Sequence, residues 1–554
     1  MLRRQPSRLS LVVVSAFTLL LLWSVFADSG DLPTDLRRKS RFSFGTNPHH
    51  VSPDQPDITH EAAPETHSPI EALWYHSSRL IFNNRPRIKK IKTKSSATNR
   101  VVHAKDRNPR NPYEDLVTNS IEDLRSMRAS HTGFVKELKD LLRNTTAVFE
   151  GHGIAMVGGG EYFGPAITTI QMLRRLGCLL PVELFVKDKH EYEPYVCEEY
   201  LPKLGARCLV ITDFLDKGAH VFAPTHYQLK VLGLLFSSFQ HVLFLDSDSM
   251  PLMDPYMNMM LVEPYLGTGM VVWPDFWGST ESPVFYAIAG LPDFPNNLPK
   301  TASESGQILI NKGTHLPVLL LACYYNIFGP DLYYPLLSQG AMGEGDKETF
   351  MAAAVVLSAP YYRVKHSVEA VMNDDGEKSV GRAMLQFHAA DEVSIPALKP
   401  GTWAPDSALP KIRPAFLHAN LPKFNAGHLL DEGLLFSKVD HDKRWRLLGT
   451  KEKQTSVFGY DIEATLWEFM LQSGCELADK LNDWRDREDL CFRLNAHFQD
   501  LFAPEKEEEI LAQEKQKKLL EGQQEEGVSM PDPPPRVETE TDDGAVAGPI
   551  RRKR

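Results

Sequence analysis

No Cys-x-x-Cys spacing occurs among the six cysteines of this 554-residue chain, so the usual signature of a zinc cluster is missing. No internal repeat is apparent, which argues against solenoid and propeller architectures. Excess positive charge is also lacking. The formal net charge is −11, so the chain carries no electrostatic footprint for nucleic acid, and the basic run Ile88–Lys94 reads as a solvated stretch. Only one glycosylation sequon is present, Asn144–Thr145–Thr146, which fits a lumenal face. In that oxidising setting the six cysteines can pair. Cys475 with Cys491 is a candidate local bridge, but about 15 complete pairings exist and spacing does not choose among them.

What is present divides the chain. Leu9–Ala27 is free of charge over 19 residues, with Arg3, Arg4 and Arg8 ahead of it and Asp28 behind. That length crosses a bilayer core of about 30 Å, and the arginines favour a cytoplasmic amino terminus. A cleaved signal peptide, with Val25 and Ala27 near the cut, is the competing reading. The expected organisation is a tail over 1–8, a signal anchor over 9–27, an extended stem over 28–136, a lumenal α/β domain over 137–504 and a disordered charged tail over 505–554.

Within the domain, Ile154–Val157, a helix over Ala166–Leu176 and Val182–Val186 read as a β-α-β unit with parallel strands. The glycines at 158–160 follow the first strand without the dinucleotide-binding spacing. Gly158 and Gly159 are candidates for close approach to a nucleotide, or simply form a tight turn. The run Tyr227–Phe239 has helical apolar spacing, carries Lys230, and feeds the strand Val242–Leu245. Asp246 and Asp248 stand where that strand ends. Two carboxylates at i and i+2 form a hard-oxygen clamp suited to Mg or Mn, and open α/β sheets bind ligands at the carboxyl ends of their strands.

Three further segments carry candidate chemistry. Glu304, Ser305 and Gln307 lead into the strand Ile308–Ile310 and could face a sugar. Asp346 and Glu348 precede an apolar helix over Met351–Leu357, where acids also suit the helix dipole. His418 follows a strand end at Phe416–Leu417 and is a possible third metal ligand, with Lys423 placed to neutralise a phosphate.

Taken in order, YQLKVLGLLFSSFQHVLFLDSDSMPLMDP, ESGQILINK, GDKETF and HANLPKFN resemble the fungal Golgi α-mannosyltransferases that extend and branch mannan outer chains, over about 150–430. The resemblance implies a GT-A type fold with one mixed Rossmann-like sheet and flanking helices. It also implies mannose transfer from GDP-mannose to a mannose hydroxyl of a glycoprotein, with Mn as the usual cation. An α-1,2 linkage made with retention is expected, with α-1,3 as the alternative. Asp246, Asp248 and, by analogy with related transferases, His418 would hold the metal. Lys230, Asp246 and Lys423 would lie at the nucleotide diphosphate, and Asp346 and Glu348 would hold or deprotonate the acceptor. The expected setting is the Golgi membrane, with a transferase complex as a candidate assembly. Asp248→Asn is expected to abolish transfer with an unchanged melting profile. A glycoside hydrolase, which also needs paired carboxylates, and a non-catalytic lumenal subunit are the other two classes.

Overall fold

A computed structural model describes residues 67–503, apart from 100–112, 145–148, 292–293, 296–297, 375–377, 394–410, 432, 437–438, 440–443 and 488. The anchor at 9–27 and the tail from 505 lie outside the described residues. Among the described residues, no helix is long and apolar enough to cross a membrane. The chain divides into two compact units, 1–498 and 499–554. Of the second, only 499–503 are described, and they include the end of the helix Leu490–Leu501.

Eleven strands are described: β1 (His152–Val157), β2 (Val182–Val186), β3 (Ala206–Val210), β4 (His241–Asp246), β5 (Ser249–Pro251), β6 (Met270–Gly278), β7 (Thr301–Asn311), β8 (Tyr362–Arg363), β9 (Glu369–Asp374), β10 (Ser379–Phe387) and β11 (Pro414–His418). The large sheet runs β3-β2-β1-β4-β7-β6-β8. Strands β3, β2, β1 and β4 are parallel to one another, whereas β7 is antiparallel to both β4 and β6. The expected β-α-β unit is present, its helix spanning Phe163–Arg175. Val242 to Leu245 are fully buried, as a continuous apolar run in a central strand should be.

A single sheet was the expectation, and the structure adds a second. Strands β5-β11-β10-β9 form an antiparallel sheet that begins three residues after β4 ends. The turn Asp246–Ser247–Asp248 therefore joins one sheet to the other, and the Thr169 hydroxyl holds it by donating to the Ser247 carbonyl at 2.7 Å.

The stem expectation is corrected over 67–99 and 113–136. These residues contain the helix Pro69–Asn83 and most of the helix Ile121–Asn144. Leu73, Trp74, Ile81, Phe82, Met127 and Phe134 join the main core, with Trp74 edge-on to Phe236 and Phe134 stacked on Tyr324 at 4.4 Å. The apolar spacing of Ile70, Leu73, Trp74, Ile81 and Phe82 is helical, and the Pro- and His-rich surroundings conceal it. Asn144 ends its helix, and the rest of its sequon lies outside the described residues. Disulfides join Cys475 to Cys491, as expected, and Cys197 to Cys208, while Cys178 and Cys323 are buried thiols.

Candidate active site

The carboxyl end of β4 gathers charge from five parts of the chain. Asp246 ends β4, and Lys230 reaches it from the preceding helix Gln228–Phe236 at 3.1 Å. The same ammonium donates to the Ser305 carbonyl at 2.7 Å and hydroxyl at 2.8 Å, and lies 3.3 Å from Asp346. Asp248, on the turn, is almost fully buried. Its oxygens meet His418 Nε2 at 3.2 Å and the Lys423 ammonium. His418 arrives there because β11 pairs with β5 in a register that sets His418 opposite Ser249.

Glu304, on β7, completes the cluster. Its carboxylate lies 3.3 Å from His418 Nδ1 and accepts from the Gly306 amide at 2.6 Å. One ligand atom each from Asp246, Glu304 and His418 lies within 4.8 Å of the others. Asp248, expected as a metal ligand, is instead engaged with His418 and Lys423 outside that trio. Glu304, expected to face a sugar, falls within that trio.

Ser305 and Gln307, expected to face a sugar, are turned into the protein. The Ser305 hydroxyl donates to Asp346 at 3.2 Å. Gln307 donates to Glu304 at 2.5 Å and accepts from Ser249 at 3.0 Å, so it orients a carboxylate. Glu348 stands at the N-cap of the helix Thr349–Val356, yet its side chain accepts from the Ser303 amide at 2.7 Å rather than capping the helix. Gly158 is buried against Leu184 and Ala166 and serves as a tight packing turn, its amide donating to the Phe185 carbonyl. Gly159 follows it beside the cluster, because Val157 is paired with Asp246. Gly306 matters for a reason spacing could not reveal. A Cβ there would stand 2.7 Å from the His418 ring and 2.8 Å from Glu304.

The electrostatics follow from burial and pairing. Burial pushes Asp246 up to about 6, against the pull of Lys230 and His418. Burial also opposes ionisation of Asp248, but His418 and Lys423 prevail and hold its carboxyl well below the usual range. Glu304 is lowered in the same way, mainly by His418. In turn Asp248 and Glu304 outweigh burial and raise the His418 imidazole well above its ordinary value. Four carboxylates thus face three cationic groups in a desolvated corner. Two carboxylate oxygens and, once His418 gives up its proton, an imidazole nitrogen at this spacing form a donor set that suits Mn, so the residues present fit the expected cation.

Residues 151–297 and 291–391 match a family model described as "Mannosyltransferase putative". The chain is 33% identical over 444 residues to alpha-1,2-mannosyltransferase MNN21 of Candida albicans, covering 69% of this chain and 66% of that protein. It is 30% identical over 436 residues to alpha-1,2-mannosyltransferase MNN23 of the same organism, covering 64% of this chain and 71% of that one. This chain belongs to the fungal α-mannosyltransferase family. With alpha-1,2-mannosyltransferase MNN2 of Saccharomyces cerevisiae the identity is 37% over 303 residues, 48% of this chain and 50% of the yeast protein. The chain thus spans about half to two thirds of the length of these relatives, somewhat more for MNN23. Among solved structures, the glycosyltransferase GlyE of Streptococcus pneumoniae TIGR4 matches 39% of this chain and 45% of its own at 15% identity. Its TM-score of 0.25 is too low to bear on this family member's fold.

Proposed function

We propose that this chain is a metal-dependent retaining α-mannosyltransferase. It moves mannose from GDP-mannose to a mannose hydroxyl of a glycoprotein and forms an α-1,2 linkage. The observation that carries the reading is the convergence of Asp246, Glu304 and His418 at the carboxyl end of β4, with Asp248 and Lys423 beside them. A sheet whose parallel half meets an antiparallel β7 at this point supports the GT-A description.

Asp246, Glu304 and His418 would hold Mn, which when bound supplies positive charge to a departing diphosphate. The bond from sugar C1 to phosphate oxygen breaks and its electron pair leaves with GDP. A bond forms between C1 and the acceptor oxygen, whose proton passes to a carboxylate, for which Asp346 and Glu348 are candidates. Lys423 is held cationic by Asp248, and its side chain is about one third exposed, which would let it meet the arriving phosphates. Charge developing on the leaving group is then met more strongly in the transition state than in the ground state. Lys230 is buried and saturated by Asp246, Ser305 and Asp346, which suits fixing the position of Asp246 rather than touching donor.

The same proposal places the protein in the Golgi membrane through 9–27, acting on lumenal glycoprotein mannan. The test incubates full-length protein with several sugar nucleotides, Mn and an α-linked mannose oligomer, and reads the new linkage by NMR. An α-1,2-mannosyl product that disappears with EDTA and returns with Mn is expected. Cleavage of the oligomer without any nucleotide would make the protein a hydrolase, and GDP binding without turnover would make it a binding subunit.

A further inference from the structure

The loop after β11 and the turn after β1 meet beside the charged cluster, and one buried side chain ties them together. Asn425, two residues beyond Lys423, has every polar atom engaged. Its Nδ2 donates to the Glu161 carbonyl at 2.8 Å, in the turn Gly160–Tyr162. Its Oδ1 accepts from the Gly427 amide at 2.9 Å and from Trp484 Nε1 at 3.1 Å. Its own amide donates to the Lys423 carbonyl at 2.8 Å, and its carbonyl accepts from the Leu429 amide at 2.9 Å. A buried polar group satisfied this fully fixes its own orientation and that of the segments bonded to it. The two loops touch a second time where the Lys423 ammonium stands over the Tyr162 ring, 5.5 Å from its centre.

Trp484 gives this junction a rigid back. Its indole is fully buried in a slot left by two glycines, since a Cβ at Gly164 would stand 2.9 Å from the ring and one at Gly427 would run into it. The segment that carries Trp484 is closed by the Cys475–Cys491 disulfide, and the neighbouring Asp483 carboxylate lies 2.9 Å from His428 Nε2.

We propose that Asn425 is a positioning residue that acts through Lys423. By locking the loop after β11 to the turn after β1, with Trp484 behind it, Asn425 sets where the ammonium stands beside Asp248. A lysine is a point charge on a flexible stem, so the backbone that carries it decides where that charge sits. A displacement of about 1 Å at a reacting centre costs about 10²-fold in rate, which makes such a brace matter although it touches no substrate. The inference deepens the transferase reading and rests on it for what Lys423 meets.

The test is a double-mutant cycle on full-length protein with Asn425→Ala and Lys423→Ala, reading kcat and the KM of the mannose oligomer during transfer from GDP-mannose. Asn425→Ala should lower kcat about 30-fold and leave the acceptor KM within about twofold, yet cost less than about threefold once Lys423 is already alanine. An equal loss in both backgrounds, or an unchanged kcat, overturns the proposal. Trp484→Phe keeps a ring in the slot and removes only the indole donor, so it carries the test if Asn425→Ala fails to fold. Its expected loss is about fivefold, again absent without Lys423. Amide hydrogen exchange reads the brace with no substrate present. Either variant should speed exchange over 160–163 and 425–429 about tenfold while β4 is unchanged, and unaltered exchange there overturns the brace. Faster exchange in a protein whose unaltered form transfers nothing from GDP-mannose keeps the brace and removes the transferase reading instead.

Discussion

Two deeply buried regions of this protein enclose opposite chemistry. At the end of β4, Asp246, Asp248, Glu304 and Asp346 face Lys230, His418 and Lys423. Under the helices Pro69–Asn83 and Ile121–Asn144, the neighbours are Trp74, Phe134, Phe236, Tyr324 and Tyr325. The aromatic layer is what area burial and ring packing produce by themselves. The charged corner is different, since desolvating each ion offsets most of what pairing returns. Stability therefore accounts for the first region and not for the second, whose charges need a ligand to explain them.

That contrast can be broken or sharpened by experiment. Asp246→Asn should lower transfer from GDP-mannose about 10³-fold with little loss of stability. Asp248→Asn, expected from sequence to melt normally, leaves His418 and Lys423 facing each other in a buried site and should cost about 3 kcal/mol. Urea midpoints and turnover on the two variants read both effects, and equal destabilisation would remove the distinction drawn between these acids. In the aromatic layer, Trp74→Ala should cost about 4 kcal/mol while the folded fraction still binds GDP with unchanged affinity.

The layer also holds a titrating group. His131 is buried and bonded to the Tyr325 hydroxyl at 2.8 Å, and burial pushes its imidazole down to about 4. The unfolded chain takes up that proton near pH 6.5, so as pH falls from 6.5 to 4 the folded state loses about 3 kcal/mol from this group. Comparing stability against pH for the unaltered chain and His131→Gln should show the variant with a shallower fall, and parallel curves would dismiss the effect. Smaller still, Gly306→Ala should lower turnover about 10²-fold by pushing His418 and Glu304 apart, with the circular dichroism spectrum retained.

Continuous apolar runs made the parallel half of the large sheet legible. Ile154–Val157, Val182–Val186 and Val242–Leu245 needed no tertiary information, and Asp246 and His418 stand out from their places at strand ends, whereas Lys230 and Lys423 were named as cations of the segments around them. The small sheet was not legible. Its first strand, Ser249–Pro251, is three residues long and ends in proline, too little to carry a periodic signal. Glu304 as partner of His418 was hidden for the same reason, because the two are 114 residues apart and meet only through the β5·β11 register. Ser305 and Gln307 look like free polar groups in a string of letters. Only the packed strand shows that Lys230, Asp346 and Glu304 have already claimed them.

The turn at Ser247 carries a consequence for how this protein comes into being. A growing chain supplies both aspartates long before the imidazole and the last lysine emerge, so early in synthesis Lys230 answers Asp246 while Asp248 stands without its counterweights. Competence must then appear late and all at once, when β11 slides into place beside β5. A one-residue slip of that pairing would point His418 away and leave a well-folded protein without its chemistry.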